Sequence, residues 1–462
     1  MPSKLSSAWT VIAIFIAISL ASLVVAPQFL NLIFPSTAVL AGFFLYANSP
    51  LTYMGFTWWI WFLSPFARRL ADYHSTYTEP SPILLAPYLV TLISALTFTQ
   101  KSIKVENKTD TCFLLAFLGT VYALFIGLVR SPYTSVLTSF LEWSCPIFFG
   151  FYLYSRWREY PSLKQHTQNI FLWCVLLTGL YGVFQYLVLP DWDRVWLETN
   201  ILMTENARAF GDPEPLRIRV WSTMNGPGVY SQVMMAGLLL ILSRESSLNL
   251  PATAVGYLSF LLTLVRSAWL GWLVGLALLF SSLKSSLQIR LVLTLAIALM
   301  CSIPLIFLEP FSDLVVERLQ TFTTLESDGS ANARLGHYSR MLGAALSNVL
   351  GSGFGYSHGL LDSGILDLTL TLGWLGGGLY TGGVVLILIK LFRDDSLKND
   401  TFAGASLAVS FGLIIQMLFG STMTGLPGMI LWGFMGMGMA FQRYTGSPQF
   451  YKGQRVSKST LV

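Results

Sequence analysis

Apolar runs close to 20 residues long recur from one end of this chain to the other. A helix of about 20 residues spans the roughly 30 Å hydrocarbon core of a bilayer. Transmembrane barrels instead show short segments of alternating polarity, and no such pattern recurs in this sequence. The chain is therefore predicted to be an all-α polytopic membrane protein, with about 14 candidate spans near residues 8–26, 29–47, 51–67, 83–100, 112–129, 134–155, 169–189, 226–243, 249–265, 267–283, 289–308, 365–391, 402–420 and 424–442.

Two of these regions leave the number of spans open. The short pairs at 29–67 and 249–283 fit either full spans or broken and interfacial helices, so 12 spans satisfy the pattern as well as 14. Only 11% of the residues are charged, against roughly 25% in soluble proteins. We therefore expect one membrane domain over residues 1–444 and a disordered cytoplasmic tail over 445–462.

Basic residues at the ends of apolar runs orient the bundle, because cytoplasmic connections of membrane proteins are enriched in lysine and arginine. Counting alternately from these clusters puts both termini inside and the polar segments 190–225 and 309–364 outside. Arg68 and Arg69 fall outside on this count, so either the third span is re-entrant or these arginines act on the outer face. The clusters that set the count are Lys101, Lys104 and Lys108, Arg156, Arg158 and Lys164, Lys284 and Arg290, Lys390, Arg393 and Lys398, and Arg443, Lys452, Arg455 and Lys458.

The segment 309–364 is a large polar loop between two apolar regions. It carries Arg318, Arg334 and His358, and it ends where the chain re-enters the membrane after Asp362. Span centres are expected to be nearly free of charge, so the ionisable groups gather on the two outer segments. This distribution favours chemistry at the membrane surface over a transport path through the bundle.

Four short segments in this region resemble the O-antigen ligase and polymerase superfamily, a group of bacterial membrane glycosyltransferases. Together they run from about Arg217 to Gly378, roughly a third of the chain. The segments are Arg219-Val-Trp-Ser-Thr-Met-Asn-Gly-Pro-Gly-Val-Tyr230, Leu264-Val-Arg-Ser-Ala-Trp-Leu-Gly271, Arg318-Leu with Gly329-Ser330 through Arg334 and Leu350-Gly-Ser-Gly-Phe-Gly355, and the re-entry segment Asp362 to Gly376. The resemblance implies a GT-C-like fold whose large extracytoplasmic loop contains short helices.

The re-entry segment departs from the ligase pattern in one position. Ligases of this superfamily place a histidine, ten intervening residues and then a glycine, and in that register Asp362 takes the histidine position with Gly373 as the glycine. His358 lies one helical turn upstream. Polymerase-like members resemble the aspartate version, which favours a polymerase and leaves both Asp362 and His358 as candidates for the base.

The resemblance also implies a reaction. Members transfer a saccharide from an undecaprenyl diphosphate lipid to a sugar hydroxyl on the periplasmic side of the bacterial inner membrane, with inversion and without metal, nucleotide or other cofactor. Arginine side chains suit this reaction because they stay ionised and hold phosphate oxygens in a fork. The expected diphosphate ligands are Arg266, Arg219, Arg334, Arg318 and Arg217, with Asp362 or His358 as the catalytic base and Asn225 and Trp221 as substrate-binding residues.

Each arginine also has a simpler explanation. Arg266 is either a diphosphate ligand or a headgroup-level anchor between two apolar runs. Arg219 is either a ligand or a partner of Asp212 and Glu214, and Arg318 and Arg334 are either ligands or members of surface ion pairs on the loop.

The other candidates have structural alternatives too. Asp362 and Asn225 precede predicted helices and are suited to capping them. Trp221 belongs either to an interfacial aromatic belt or to a sugar-stacking surface. Asp191-Trp-Asp193 has the spacing of a metal-binding pair, but a lone spacing of this kind is weak.

Two further functions remain open at this point. A ligase joins finished polysaccharide to lipid A core or another terminal acceptor, and a lipid-linked oligosaccharide flippase shares the same composition and lipid setting. The expected partners are the lipid-linked donor, the saccharide acceptor and the bilayer, with no nucleic acid; whether a chain-length regulator binds is left open.

Overall fold

The computed structural model describes the chain except for residues 1, 103–108, 204–208, 245, 283–287, 290–291, 294–295, 297–299, 301–340, 357–362 and 448–462. The described part is helical, with one isolated β-bridge between Gly211 and Ile218. Its α-helices, numbered here in chain order, are α1 (Pro2–Val25), α2 (Pro27–Asn48), α3 (Pro50–His74), α4 (Ala86–Leu92), α5 (Ala95–Ser102), α6 (Asp110–Arg130), α7 (Tyr133–Ser155), α8 (Tyr160–Val188), α9 (Asp191–Met203), α10 (Pro227–Ile241), α11 (Asn249–Leu262), α12 (Arg266–Ser282), α13 (Gly364–Phe392), α14 (Thr401–Gln416) and α15 (Gly425–Thr445).

Within the described residues, seven helical stretches are long and apolar enough to cross a membrane. They are Ser7–Val25, Pro27–Asn48, Pro82–Lys101, Asp110–Arg130, Tyr133–Ser155, Trp157–Val188 and Gly364–Phe392. Shorter apolar helices cover four more of the predicted runs, at Pro227–Ile241, Asn249–Leu262, Arg266–Phe280 and Thr401–Gln416. The prediction of an all-α polytopic membrane protein is therefore confirmed, while the run at 289–308 lies largely outside the described residues.

Local sequence explains where these helices begin. Pro27, Pro50 and Pro227 each occupy the first turn of a helix, where the missing N–H costs nothing because the helix leaves that donor unpaired. The side chain of Asp400 caps α14 by accepting the N–H groups of Phe402 and Ala403, each at 3.0 Å. These starts match the beginnings of the predicted runs to within a few residues.

The chain divides into two compact units. The first comprises residues 1–93, 166–269 and 285–335, so its described part holds α1–α4, most of α8, α9–α11 and the first turn of α12. In this unit α3 runs continuously from Pro50 to His74. Which of the two explanations holds for Arg68 and Arg69, a re-entrant third span or a role on the outer face, stays a prediction.

The second unit comprises residues 94–165, 270–284 and 336–462. Its core is formed by two closely packed helix pairs, α7 with α15 and α6 with α13. A Cβ added at Gly119 of α6 would lie 2.5 Å from the carbonyl oxygen of Gly376. Small residues therefore bring α6 and α13 into backbone contact, as expected for packing inside a bilayer.

One end of the second unit gathers the predicted cytoplasmic cations. Lys164 donates to Asp400 at 2.7 Å, which joins the start of α8 to the start of α14. The Arg443 guanidinium lies 5.1 Å from the ring centroid of Trp157, which joins the end of α15 to the same region. These contacts bring the connections together, and the side of the membrane on which they lie stays a prediction.

Candidate functional site

Three arginines lie in segments of the first unit that hydrogen bonds join. Arg69 lies near the end of α3, Arg219 lies in the segment before α10, and Arg266 is the first residue of α12. Hydrogen bonds described below tie these segments together. We call this region, defined by Arg69, Arg219 and Arg266, the arginine end.

A buried ion pair forms the base of the arginine end. Arg69 Nε lies 2.7 Å from Asp193 Oδ1, and the two side chains are 1% and 0% exposed. Arg69 Nη1 also donates to the carbonyl oxygen of Met224 at 2.7 Å, and Nη2 donates to that of Ser222. A buried guanidinium needs such partners, because an unpaired charge inside a protein costs several kcal/mol.

Asp193 extends this network through its second oxygen. Oδ2 accepts the hydroxyl of Tyr181 and the side-chain amide of Gln185, both at 2.7 Å. The Gln185 carbonyl in turn accepts the backbone N–H groups of Trp221 and Ser222, at 3.2 and 2.8 Å. Ser222 has a φ of 52°, an uncommon conformation for a residue other than glycine. The Arg69 side chain thus holds this turn through its carbonyl groups, and the Gln185 side chain holds it through its N–H groups.

The Arg219 side chain holds a second turn. Its Nε and Nη2 donate to the carbonyl oxygens of Thr263 and Leu264, at 3.1 and 3.3 Å, and its Nη1 donates to that of Ala209 at 3.1 Å. The neighbouring Val220 N–H donates to the Leu262 carbonyl at 3.1 Å. The predicted alternative that Arg219 serves Asp212 and Glu214 finds no support in these bonds, since all three nitrogens face backbone carbonyls.

Arg266 follows the turn that Arg219 holds. The turn includes Leu264 with a φ of 53°, and α12 begins at Arg266. The Arg266 side chain is half-buried. A helix N-terminus carries a partial positive charge and N–H groups without helical acceptors. This position therefore suits contact with an anion, and it also suits the headgroup-level anchor considered above.

The remaining predicted residues of this end have different surroundings. Arg217 is exposed and pairs with Glu214 at 2.9 Å, so that carboxylate serves Arg217. Asn225 is exposed, but the cap of α10 is Gly226, so the capping role predicted for Asn225 is wrong. Trp221 is 0% exposed, and in this conformation its ring offers no face to a sugar.

Trp221 instead belongs to an aromatic cluster. Its ring centroid lies 5.7 Å from those of Trp196 and Phe210. Packing within this cluster accounts for the position of Trp221. Its predicted role in substrate binding stays a prediction.

The Asp191-Trp-Asp193 motif is divided between surface and interior. Asp191 forms an exposed pair with Arg194 at 2.7 Å, whereas Asp193 is committed to the buried network. Among the described residues no group of three or more histidine, cysteine or acidic side chains is placed to hold a metal ion. The two carboxylates of this motif therefore have separate protein partners.

A cleft of about 570 Å³ lies beside α9 in the first unit. Glu198 and Asp212 line it together with the apolar side chains of Ile201 and Leu202. Two carboxylates would repel a diphosphate, so this cleft is not suited to that group.

In the second unit, two of the segments that carry the family resemblance meet. α13 is broken at Gly373, which has φ 66° and ψ −171°. The N–H of Trp374, just after the break, donates to the Val349 carbonyl at 2.9 Å. The N–H groups of Ser352 and Gly353 donate to the carbonyls of Leu370 and Thr371, at 2.8 and 3.0 Å. The chain at 349–353 thus satisfies backbone groups that the broken helix leaves without helical partners.

Helix α6 secures the other side of the 349–353 segment. Arg130 donates to the Gly351 carbonyl at 2.7 Å, and the Tyr122 hydroxyl donates to the Leu350 carbonyl at 3.0 Å. The Phe354 N–H donates to the Ala123 carbonyl at 3.1 Å. Hydrogen bonds therefore join the 349–353 segment both to the break in α13 and to α6.

Both predicted catalytic residues and two of the predicted diphosphate ligands fall outside the described part of the chain. Arg318, Arg334, His358 and Asp362 all lie there, as does most of the loop 309–364. The cap of α13 is described, and it is Ser363, whose side chain accepts the Leu366 N–H at 3.5 Å. The capping role considered for Asp362 is therefore filled by its neighbour.

Two carboxylates inside apolar helices of the second unit were missed by the sequence analysis. Glu142 lies within α7, and Asp367 lies in the first turn of α13. Asp367 accepts the Thr371 hydroxyl at 3.2 Å, and it is close enough to Glu142 for the two carboxyl groups to interact electrostatically. Glu142 is the sole acidic residue of the apolar run at 134–155, and it is an exception within the expectation of nearly charge-free span centres.

The roles of Arg69 and Asp193 were also not predicted from the sequence. The signal was present, because Arg69 contradicted the count of cytoplasmic cations. What the sequence did not provide was the partner, which lies more than a hundred residues away.

No known protein-family model matches this chain, and no curated protein does either.

Proposed function

We propose that this protein is a membrane glycosyltransferase that uses a polyprenyl diphosphate-linked saccharide as donor. It transfers the saccharide to a sugar hydroxyl on the periplasmic side of the bacterial inner membrane, and the favoured product is a polymer of repeat units. The reaction inverts the anomeric centre and needs no metal. A ligase acting on lipid A core or another terminal acceptor is the alternative within this class.

The observation that carries the proposal is the arrangement of Arg219 and Arg266 in the first unit. The guanidinium of Arg219 fixes the backbone immediately before Arg266, so a permanently charged side chain is presented at a helix N-terminus. A diphosphate leaving group needs stabilisation as negative charge develops on it. The proposed base, Asp362 or His358, would take the proton of the acceptor hydroxyl.

The test is transfer by the purified full-length chain in nanodiscs, supplied with undecaprenyl diphosphate-linked saccharide and no nucleotide. Ladders of repeats still linked to undecaprenyl diphosphate support a polymerase. Product on lipid A core alone supports a ligase. No transfer to any saccharide acceptor, with the donor intact, contradicts the proposal.

A flippase remains the second candidate because of Glu142. Ionisable groups inside membrane helices are costly and often mark transport paths, and α13 is broken in the same unit as Glu142 and Asp367, as helices of transporters often are. In proteoliposomes, a flippase that depends on Glu142 would relocate the lipid-linked saccharide and lose this activity in Glu142→Gln. The transferase is expected to retain transfer in that variant.

A further inference from the structure

The bonds of Arg219 assign it a different role from the one expected of it. A direct ligand of a diphosphate directs its fork of N–H groups at phosphate oxygens. Arg219 directs Nε, Nη1 and Nη2 at the carbonyl oxygens of Thr263, Ala209 and Leu264. Those bonds close the turn that leads into α12.

The segment that carries Arg219 is itself held by hydrogen bonds to other parts of the first unit. Val220 donates to Leu262, and the next two residues donate to Gln185. Gln185 is held by Asp193, whose partner is Arg69. A continuous chain of bonds therefore runs from the buried ion pair to the backbone just before Arg266.

We infer that Arg219 is a positioning residue that presents Arg266 to a prenyl diphosphate and does not itself bind the phosphates. This inference rests on the proposed function, since it names how the donor site of that function is built. The buried pair of Arg69 and Asp193 supports Arg219 in this role by holding the turn at Ser222.

Lysine at position 219 separates the two roles of an arginine. It keeps the positive charge but has a single ammonium group, which does not reach three carbonyls with the geometry of a fork. A direct ligand would keep much of its electrostatic attraction as lysine. A positioning residue would lose its effect in Arg219→Lys as completely as in Arg219→Gln.

The experiment is titration of the full-length chain in nanodiscs with farnesyl diphosphate, with farnesol as the uncharged control. Arg266→Ala is expected to weaken binding about tenfold or more, the range for a lost bond to a charged group. Arg219→Lys and Arg219→Gln are each expected to weaken binding to a similar extent. In the Arg266→Ala background, either change at position 219 is expected to have no further effect.

Non-additivity is the decisive outcome, because residues that act through one another couple in a double-mutant cycle. If the losses at 219 and 266 multiply, or if Arg219→Lys binds normally, the positioning role is wrong. Arg194→Ala, which removes an exposed cation paired with Asp191, is the charge-matched control and is expected to bind normally.

Hydrogen exchange tests the same inference without any ligand. Arg219→Lys is expected to speed exchange of the amides at 263–269, because the turn loses the hydrogen bonds of the Arg219 guanidinium. Exchange in α15 is expected to stay unchanged. If the wild-type chain fails to bind farnesyl diphosphate but Arg219→Lys loosens 263–269, the proposed function fails and the positioning of Arg266 stands. Unchanged exchange at 263–269 overturns the positioning role whatever the binding result.

Discussion

At the scale of single residues, the arginines differ in what their surroundings leave them to do. Arg69 is enclosed and paired with Asp193, Arg219 is committed to backbone carbonyls, and Arg217 is exposed beside Glu214. Arg266 stands at a helix start and is half-buried. Within the arginine end, Arg69 thus forms a structural ion pair, Arg219 holds a turn of the backbone, and Arg266 is the candidate ligand.

Replacing Arg266 with alanine is expected to reduce transfer about 100-fold or more, since a lost group that stabilises developing charge has an effect of this order. The protein should still insert, because the apolar sequence of α12 that follows Arg266 is unchanged. Initial rates with lipid-linked saccharide measure the effect. Full activity in Arg266→Ala would remove the main donor ligand from the proposal.

Replacing Asp193 with asparagine is expected to destabilise the protein by about 3–5 kcal/mol, because Arg69 would keep a buried charge without its carboxylate partner. Asp191→Asn is the matched control, two residues away in the same helix. Its pair with Arg194 is exposed, so the expected cost is about 1 kcal/mol or less. Thermal unfolding in detergent, followed by tryptophan fluorescence, compares the two variants, and equal melting temperatures would contradict the importance of the buried pair.

At the scale of helices and segments, the break in α13 is the feature that the sequence predicted least well. The run at 365–391 gave the extent of the helix to within a residue or two. The sequence also pointed to Gly373 and to Leu350–Gly355, but only through a resemblance. Their contact follows from a left-handed glycine conformation and from hydrogen bonds between separate segments, and neither has a local periodicity to reveal it.

Gly373→Ala is expected to lower stability by about 2 kcal/mol or more, since an alanine at this φ is strained. Its Cβ would also lie 2.4 Å from the Leu350 carbonyl carbon and 2.5 Å from the Gly351 nitrogen. Gly378→Ala is the control in the same helix, because a Cβ there meets no atom within 4 Å. Its expected effect is neutral or a gain of up to about 1 kcal/mol from helix propensity.

Melting temperatures of the two glycine variants measure this difference. A Gly373→Ala protein as stable as wild type would show that the backbone at the break adapts easily. A strongly destabilised Gly378→Ala protein would instead point to a general intolerance of α13.

At the scale of the whole molecule, the sequence predicted the class and most of the spans because both follow from a local quantity, the apolar content of about 20 residues. Helices of the described part cover 13 of the predicted runs. Long-range partners were beyond such a pattern, as Arg69 with Asp193 and Gly351 with Gly373 show. The candidate site was accordingly predicted as a set of residue types, while the roles of Arg219 and Asn225 required the fold.

The alternating count of spans makes a prediction about sidedness that single cysteines test. Asn225 is the last residue of the segment 190–225, counted as outside, and Ser162 lies in the basic connection counted as inside; both residues are exposed. In a variant whose four native cysteines are replaced by serine, Asn225→Cys should react with a membrane-impermeant maleimide added to spheroplasts. Ser162→Cys should react only after the membrane is permeabilised.

This pair of positions decides the orientation of the proposed donor site. Asn225 lies one residue after Met224, whose carbonyl accepts a bond from Arg69, so labelling at 225 reports the side of the arginine end itself. Labelling of Ser162→Cys in intact spheroplasts, with Asn225→Cys protected, would invert the topology. The arginine end would then face the cytoplasm, where a donor on the periplasmic side does not reach it.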